Sequence, residues 1–127
     1  MEHAKVLWIE DDAFLNELIG AKFGNRLKLK LVTNGNEAFA ELARERPDVI
    51  VLDLLLPGMD GFAILEKLKE GAQYKEIPVI VLSNLGQQSD IDRAMQLGAA
   101  AYLIKANFNL DDILTEIGNV IATHGHA

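Results

Sequence analysis

The sequence predicts an α/β fold: five βα units, (βα)5, in a doubly wound parallel five-stranded sheet of order 2-1-3-4-5. Three observations carry this. Short apolar runs alternate with segments of helical periodicity along the whole chain. The runs Val6-Leu7-Trp8-Ile9, Val49-Ile50-Val51-Leu52 and Val79-Ile80-Val81-Leu82 are continuously apolar, the pattern of strands covered by helices on both faces. No repeat, low-complexity tract or Gly/Ser/Pro-rich linker divides the 127 residues, which fit one domain, 1–127, with no room for a second. Right-handed crossovers then give an open sheet. Its ligand crevice lies outside the carboxyl ends of strands one and three, where the strand order reverses.

Strand one covers about residues 5–10. Phe14, Leu15, Leu18, Ile19 and Phe23 follow at helical spacing, with Asp11 or Asp12 as the cap and Gly24-Asn25 as the stop. Strand two, 27–32, alternates basic and apolar residues as a half-exposed strand does. Asn34-Gly35 turns the chain into helix two, with Ala38, Phe39, Leu42 and Ala43 on its inner face and Pro47 ending the segment. Strand three is 48–52. The loop Leu54-Leu55-Leu56-Pro57-Gly58-Met59-Asp60-Gly61 is dense in turn signals. Helix three turns Phe62, Leu65 and Leu68 inward, and strand four follows Pro78. Ser89 with Asp92 resembles a capping box, Asp replacing the usual Glu, at the start of helix four, which Gly98 closes. Strand five is 101–104. Asn109 caps helix five, whose Leu110, Ile113, Leu114, Ile117 and Ile121 form one stripe.

Half of the residues are hydrophobic, enough for a sizeable core. No apolar stretch approaches the roughly 20 residues a membrane-spanning helix needs. The N-terminus, Met1-Glu2-His3-Ala4-Lys5, lacks the apolar core of a signal peptide. Without cysteine there is no disulfide framework and no thiolate metal site. The composition suits a cytoplasmic protein. A net charge of −7 disfavours direct binding to nucleic acid or anionic membrane. His3, His124 and His126 lie near the termini, and His124-Gly125-His126 reads as a frayed tail before it reads as a metal pair.

The polar residues that end the apolar runs carry the chemistry. Strand one ends at Glu10-Asp11-Asp12, strand three at Asp53, strand four at Ser83 and strand five at Lys105. In a parallel sheet all four endings gather on one edge. Crowded carboxylates repel, and one would hold its proton unless a cation intervenes. Oxygen-only ligands suit Mg²⁺. An aspartate can attack phosphorus to give an acyl phosphate. Mg²⁺, the Lys105 ammonium and the Ser83 hydroxyl can stabilise the transferring group's outer oxygens. Singly, each element has a plainer reading: acids at a helix N-terminus, a loop acid, an ordinary Ser83-Asn84 turn, a surface lysine. Four strands ending in residues that one reaction needs outweigh that coincidence.

The segments VLWIEDD, DVIVLDLLLPGMDG, PVIVLSN and GAAAYLIK together resemble the receiver domain of bacterial two-component response regulators, of single-domain type, over essentially the whole chain. The resemblance implies a flavodoxin-like fold and a phosphorylatable switch. It makes Asp53 the phosphoacceptor and names the donor as a phosphohistidine on a histidine kinase or histidine phosphotransfer protein. It assigns Mg²⁺ to Asp11 directly, to Glu10 through water, and to Asp53 and the backbone carbonyl of Leu55. Ser83 then hydrogen-bonds the phosphoryl group and Lys105 pairs with it. Ser83 and Tyr102 form the switch: the hydroxyl moves toward the phosphoryl group and the aromatic turns inward behind it. The surface of helix four, strand five and helix five changes and controls a downstream protein. The only catalysis implied is of the chain's own phosphorylation and dephosphorylation. Kinases dock in such domains near helix one (Phe14, Leu15) and the loop 105–109. The output face includes Ile91, Met95 and Tyr102.

The chain departs from the family at several points. Ala106 stands where proline commonly follows the lysine, so a trans bond is expected and the loop 106–109 can take its own path. Asn84 replaces a small residue after the hydroxyl position, either narrowing access to Asp53 or offering the phosphoryl group a hydrogen bond. Leu55 and Leu85 stand where the family flanks the path of the hydrolytic water, which implies either a long-lived acyl phosphate or simple packing on the loops. Ala99-Ala100-Ala101 lacks the charges that many DNA-binding regulators use to dimerise, which favours a monomer or weak dimer, or else serves tight packing. No output domain is present. Docking by a complete short protein and excision from a longer one both fit, and Met1 with the polar tail leans toward the first. Three other functions fit the sequence less well. An unphosphorylated interaction module should have lost an acid, hydroxyl or lysine, and none is lost. A Mg²⁺-dependent aspartyl phosphatase usually has a second acid two residues after its nucleophile, where this chain has Leu55. A flavin carrier fits less, because Glu10-Asp11-Asp12 would repel its phosphate.

Overall fold

The strand–helix alternation is present in full. The computed structural model describes residues 3–124. In chain order its elements are β1 (Lys5–Ile9), α1 (Ala13–Phe23), β2 (Lys28–Val32), α2 (Gly35–Arg44), β3 (Val49–Leu52), α3 (Gly61–Glu70), β4 (Val79–Ser83), α4 (Gln88–Gln96), β5 (Ala101–Ile104), a 3₁₀ turn (Lys105–Asn107) and α5 (Leu110–His124). All strand pairs are parallel, in the order β2-β1-β3-β4-β5. His126 lies outside the described residues. None of the described helices is long and apolar enough to cross a membrane.

Because side chains alternate across a strand, the apolar runs feed two cores. Leu7, Ile9, Ile50, Leu52, Val79 and Val81 face one way, against α2, α3 and α4. Val6, Trp8, Val49, Val51, Ile80 and Leu82 face the other way, against α1 and α5. Trp8 is fully buried there and stacks on Phe23, with ring centroids 6.2 Å apart. Covering both faces of β1, β3 and β4 leaves little but the strand ends open to solvent, which is why the polar strand endings form the site.

The caps that the sequence indicates hold at three helices. Asp12 accepts from the Leu15 N–H, and Asn34 accepts from the Glu37 N–H. At α5, Asn109 and Asp112 cap each other reciprocally, side chain to backbone, at 2.8 and 3.2 Å. Gly98 closes α4 at φ 107°, a conformation that favours glycine. The expectation at Ser89 is corrected. Residue 89 lies inside the first turn of α4, and Gln87 at the cap makes no side-chain bond. Gln88 bonds Asp92 instead, so the i, i+4 pair replaces the box.

Two inner faces are narrower than their periodicity suggests. On α1, Ile19 and Phe23 are buried and Leu15 half-buried, while Phe14 and Leu18 stand in solvent, 71% and 43% exposed. Phe14 and Leu18 form a separate i, i+4 row that no other element covers. On α2, Ala38 and Leu42 are buried and Phe39 half-buried, but Ala43 is exposed. The helix rolls toward its bulkier residues, so a single alanine at the margin does not draw it inward. Helix α4 is lightly anchored, with Ala94 its one fully buried residue. Arg93 adds a tie by lying 4.2 Å over the ring of Phe62 on α3. Ala99 is buried, and Ala100 and Ala101 pack against the α1/α5 core, so these alanines do serve packing.

Candidate functional site

The site forms where β1 and β3 end side by side. The Asp53 N–H bonds the Ile9 carbonyl at 3.1 Å, and the Glu10 N–H bonds Val32 at 2.9 Å, so the first residue past each strand is still held by the sheet. Carboxylate oxygens of Glu10, Asp11 and Asp53 lie within 4.8 Å of one another. Glu10 and Asp53 are buried, at 1% and 4% exposure, and Asp11 is exposed.

Lys105 reaches this cluster from the far side of the sheet. Its Nζ donates to Asp53 Oδ2 at 2.8 Å and sits 2.5 Å from Glu10 Oε1. Apart from this ion pair, Glu10 Oε1 is buried without a donor. The second carboxylate oxygens of Asp53 and Glu10 are held by backbone. The Leu55 N–H donates to Asp53 Oδ1 at 3.0 Å, and the Asp12 N–H donates to Glu10 Oε2 at 3.1 Å. All peptide bonds among the described residues are trans, including Lys105–Ala106 as expected, and the 3₁₀ turn is the path taken in place of a proline-directed loop.

Ser83 is fully buried at the end of β4, and its Oγ accepts a long bond, 3.4 Å, from the Leu85 N–H. The carbonyl of the same residue accepts from the Tyr102 hydroxyl at 2.5 Å. Tyr102 is half-buried against the α2/α3/α4 core. Leu85 thus joins the hydroxyl on β4 to the aromatic on β5. Its side chain is half-buried and packs on that core, whereas Leu55 stands 52% exposed at the mouth of the site.

The sequence matches the family profile of the response regulator receiver domain over residues 6–118. The chain belongs to this family. It is 32% identical over 112 residues to the response regulator PleD of Caulobacter vibrioides, an alignment that covers 87% of this chain and 24% of PleD. The chain therefore spans about a quarter of that relative's length. The Mn²⁺-bound form of response regulator Rcp1 superposes with a TM-score of 0.78 at 26% identity, covering 98% of this chain and 96% of that one. The receiver domain of sensor histidine kinase PA1611 from Pseudomonas aeruginosa PAO1, with magnesium coordinated in its active-site cleft, gives a TM-score of 0.82 at 25% identity, covering 94% and 98%.

Mg²⁺ is a family feature of receiver domains, and the donor set here fits it. Three carboxylates face one ammonium, the oxygens are hard, and Glu10 Oε1 is buried with that shared ammonium as its one partner. The protonation equilibria show the same strain. Burial pushes the Glu10 carboxyl above its ordinary value, against the pull of Lys105 and the Asp12 N–H. For Lys105, burial pulls the ammonium down, but the carboxylates of Asp53 and Glu10 outweigh it and the net shift is upward. Burial raises the Tyr102 hydroxyl, with Asp90 and Asp53 adding to the shift, which keeps it a proton donor.

This receiver domain thus brings Glu10, Asp11, Asp53 and Lys105 into one cluster, and ties Ser83 to Tyr102 through Leu85. Asn84 is exposed beside them. Sequence reasoning missed Asn16, whose Nδ2 donates to the Glu10 carbonyl at 2.8 Å. An amide one turn beyond the capping Asp12, on the side of the acid run, was the available signal. It also missed Gly61. A Cβ there would lie 2.3 Å from Leu54 Cα and 2.8 Å from the Asp53 carbonyl oxygen.

Proposed function

We propose that this chain is a phosphorylatable signalling switch that accepts a phosphoryl group on Asp53 from a histidine kinase or histidine phosphotransfer protein. The observation that carries the reading is Lys105 Nζ held against both Asp53 and Glu10 beside the exposed Asp11. An Asp53 carboxylate oxygen forms the new P–O bond as the donor's P–N bond breaks, and the histidine nitrogen leaves with the electron pair. Glu10, Asp11, Asp53 and the Leu55 carbonyl would hold Mg²⁺, which when bound supplies positive charge to the transferring oxygens. Lys105 offers a second positive charge. Ser83 donates its hydroxyl proton to a phosphoryl oxygen.

The switch follows from the Leu85 link. Drawing Ser83 toward the phosphoryl group pulls on the Leu85 peptide, and Tyr102 follows through its hydroxyl bond to the Leu85 carbonyl. The moving surface is α4, β5 and α5, with Ile91, Met95 and Tyr102 as its contact residues for a downstream protein. The exposed Phe14, with Phe108 39% exposed in the loop before α5, supports docking of the phosphodonor at that corner. On this reading residues 1–127 act as a receiver in the cytoplasm, with no catalysis beyond the chain's own phosphorylation and dephosphorylation.

Intact mass after incubation with acetyl phosphate tests the reading. A gain of about 80 Da, the mass of one added phosphoryl group, is expected with Mg²⁺ and is lost without it or in Asp53→Ala. No gain from acetyl phosphate or from a phosphorylated histidine kinase would leave a docking module only.

The acyl phosphate is expected to be long-lived. Leu55 gives attacking water no hydrogen-bond partner at the open side of the site. Leu55→Asn with Leu85→Glu should speed dephosphorylation by roughly tenfold, about 1.4 kcal/mol of barrier. Because Leu55 is exposed and Leu85 packs inward, Leu55→Asn alone should give most of the gain. Loss of radiolabel followed over time decides it, and an unchanged lifetime means that both leucines only pack.

A further inference from the structure

We propose that Asn16 is a positioning residue for the cation site, because it sets the turn that presents Asp11. The inference rests on the functional reading above. Asn16 lies in α1, and its own N–H bonds the Asp12 carbonyl at 2.9 Å. Its Nδ2 donates to the Glu10 carbonyl at 2.8 Å. The Glu10 N–H is already tied to Val32 on β2. Both main-chain groups of Glu10 are therefore fixed, one by the sheet and one by α1.

The Glu10 carbonyl belongs to the peptide that joins Glu10 to Asp11. That unit is planar, so a donor that fixes its oxygen also fixes the direction in which Asp11 leaves. Asp11 is exposed, so no surrounding core holds its carboxylate. The amide of Asn16 controls the main chain on which Asp11 depends.

The donor role has a consequence for the rest of the amide. Turning it over would set Oδ1 against the Glu10 carbonyl oxygen, so chemistry fixes its orientation. Asn16 Oδ1 is then buried without a partner. Glu10 Oε1, in the same turn, has the Lys105 ammonium beside it, whereas Asn16 Oδ1 has neither a donor nor a charge. An unmet buried acceptor is destabilising, and a leucine of similar shape would remove it, but it would leave the Glu10 carbonyl without its donor. What leucine cannot do is hold the Glu10 carbonyl. Groups that orient metal ligands from behind typically change metal affinity 10–100-fold when removed.

Three measurements on the full chain test this, with Asn16→Leu and, in case leucine does not fit, Asn16→Ala. Calorimetric titration with Mg²⁺ should show a dissociation constant raised at least about tenfold. The metal-free melting midpoint of Asn16→Leu should stay close to the wild-type value, because the lost bond to the Glu10 carbonyl offsets the relief at Oδ1. The rate of phosphorylation by acetyl phosphate should return to the wild-type value once Mg²⁺ is raised by the same factor, because the defect lies in occupancy. Unchanged Mg²⁺ affinity overturns the inference. So does a lower melting midpoint with a rate that added Mg²⁺ does not restore, which is the mark of a merely structural residue. If the wild-type chain itself takes up no Mg²⁺, the functional reading fails and this inference falls with it.

Discussion

Replacing Lys105 with methionine is expected to destabilise the fold by about 3–5 kcal/mol at neutral pH, the usual effect of removing one partner from a buried ion pair. The loss should shrink as the solution is acidified. The Lys105 side chain is 18% exposed and stands between two carboxylates that are almost fully buried, so solvent screens it little. Glu10 already has a carboxyl pKa raised above 4.5 by burial, with Lys105 opposing that rise. An acid whose folded pKa is raised destabilises the fold above that pKa and ceases to do so below its unfolded value of 4.5. Removing the ammonium pushes Glu10 further up, so the variant suffers most above the raised value and recovers as pH falls toward 4.5. In the wild-type chain the raised Lys105 pKa works the other way. Its stabilisation is complete below 10.5 and is lost only as pH rises through the higher folded value. Urea unfolding of both proteins at pH 5 and pH 8 measures the effect. A wild-type-minus-variant difference that is equal at both pH values would mean that only the lysine stem matters. Added Mg²⁺ should restore part of the loss at pH 8, since it can neutralise the same carboxylates.

Gly61→Ala should cost about 3 kcal/mol or more, at the upper end of overpacking effects, and should disable Asp53 as the proposed phosphoacceptor as well. The new Cβ would meet Leu54 Cα at 2.3 Å, the Leu54 carbonyl oxygen at 2.7 Å and the Asp53 carbonyl oxygen at 2.8 Å. All three are main-chain atoms, and no side-chain rotation relieves them. The start of α3 would have to move away from the end of β3, breaking the bond from the Gly61 N–H to Leu54 and shifting Asp53 from Lys105. Gly58 in the same loop is the control. It has φ 80° with nothing near its Cβ direction, so Gly58→Ala meets only backbone strain, about 1–2 kcal/mol. Thermal melts of the two variants, with phosphorylation followed by mass, check the contrast. Equal melting midpoints would show that the loop backbone yields more readily than its packing implies.

Much of this molecule was legible because the signals were local. A strand buried on both faces has no polar alternation, so Val6-Leu7-Trp8-Ile9 and its counterparts marked β1, β3 and β4 directly. Asp12, Asn34 and Asn109 announced helix starts because a cap needs only the next three residues. The same locality misled at Ser89, where a box-like spacing fell two residues too late, and at Phe14, Leu18 and Ala43. Helical periodicity tells which residues share a face but not how wide an arc the neighbours cover.

The sequence by itself determined the βα order, the two-faced burial of the central strands, and the edge on which acids, hydroxyl and lysine gather. These follow from side-chain period and the handedness of crossovers, which act over a few residues or one βα unit. Only the tertiary structure decided that Lys105 closes on Asp53 and Glu10, that Asn16 grips the Glu10 carbonyl, and that Leu85 couples Ser83 to Tyr102. The Lys105–Asp53 bond spans 52 residues and the Tyr102–Leu85 bond 17. Whether such atoms meet within 3 Å depends on how every layer between them packs. No pattern within one segment encodes that sum.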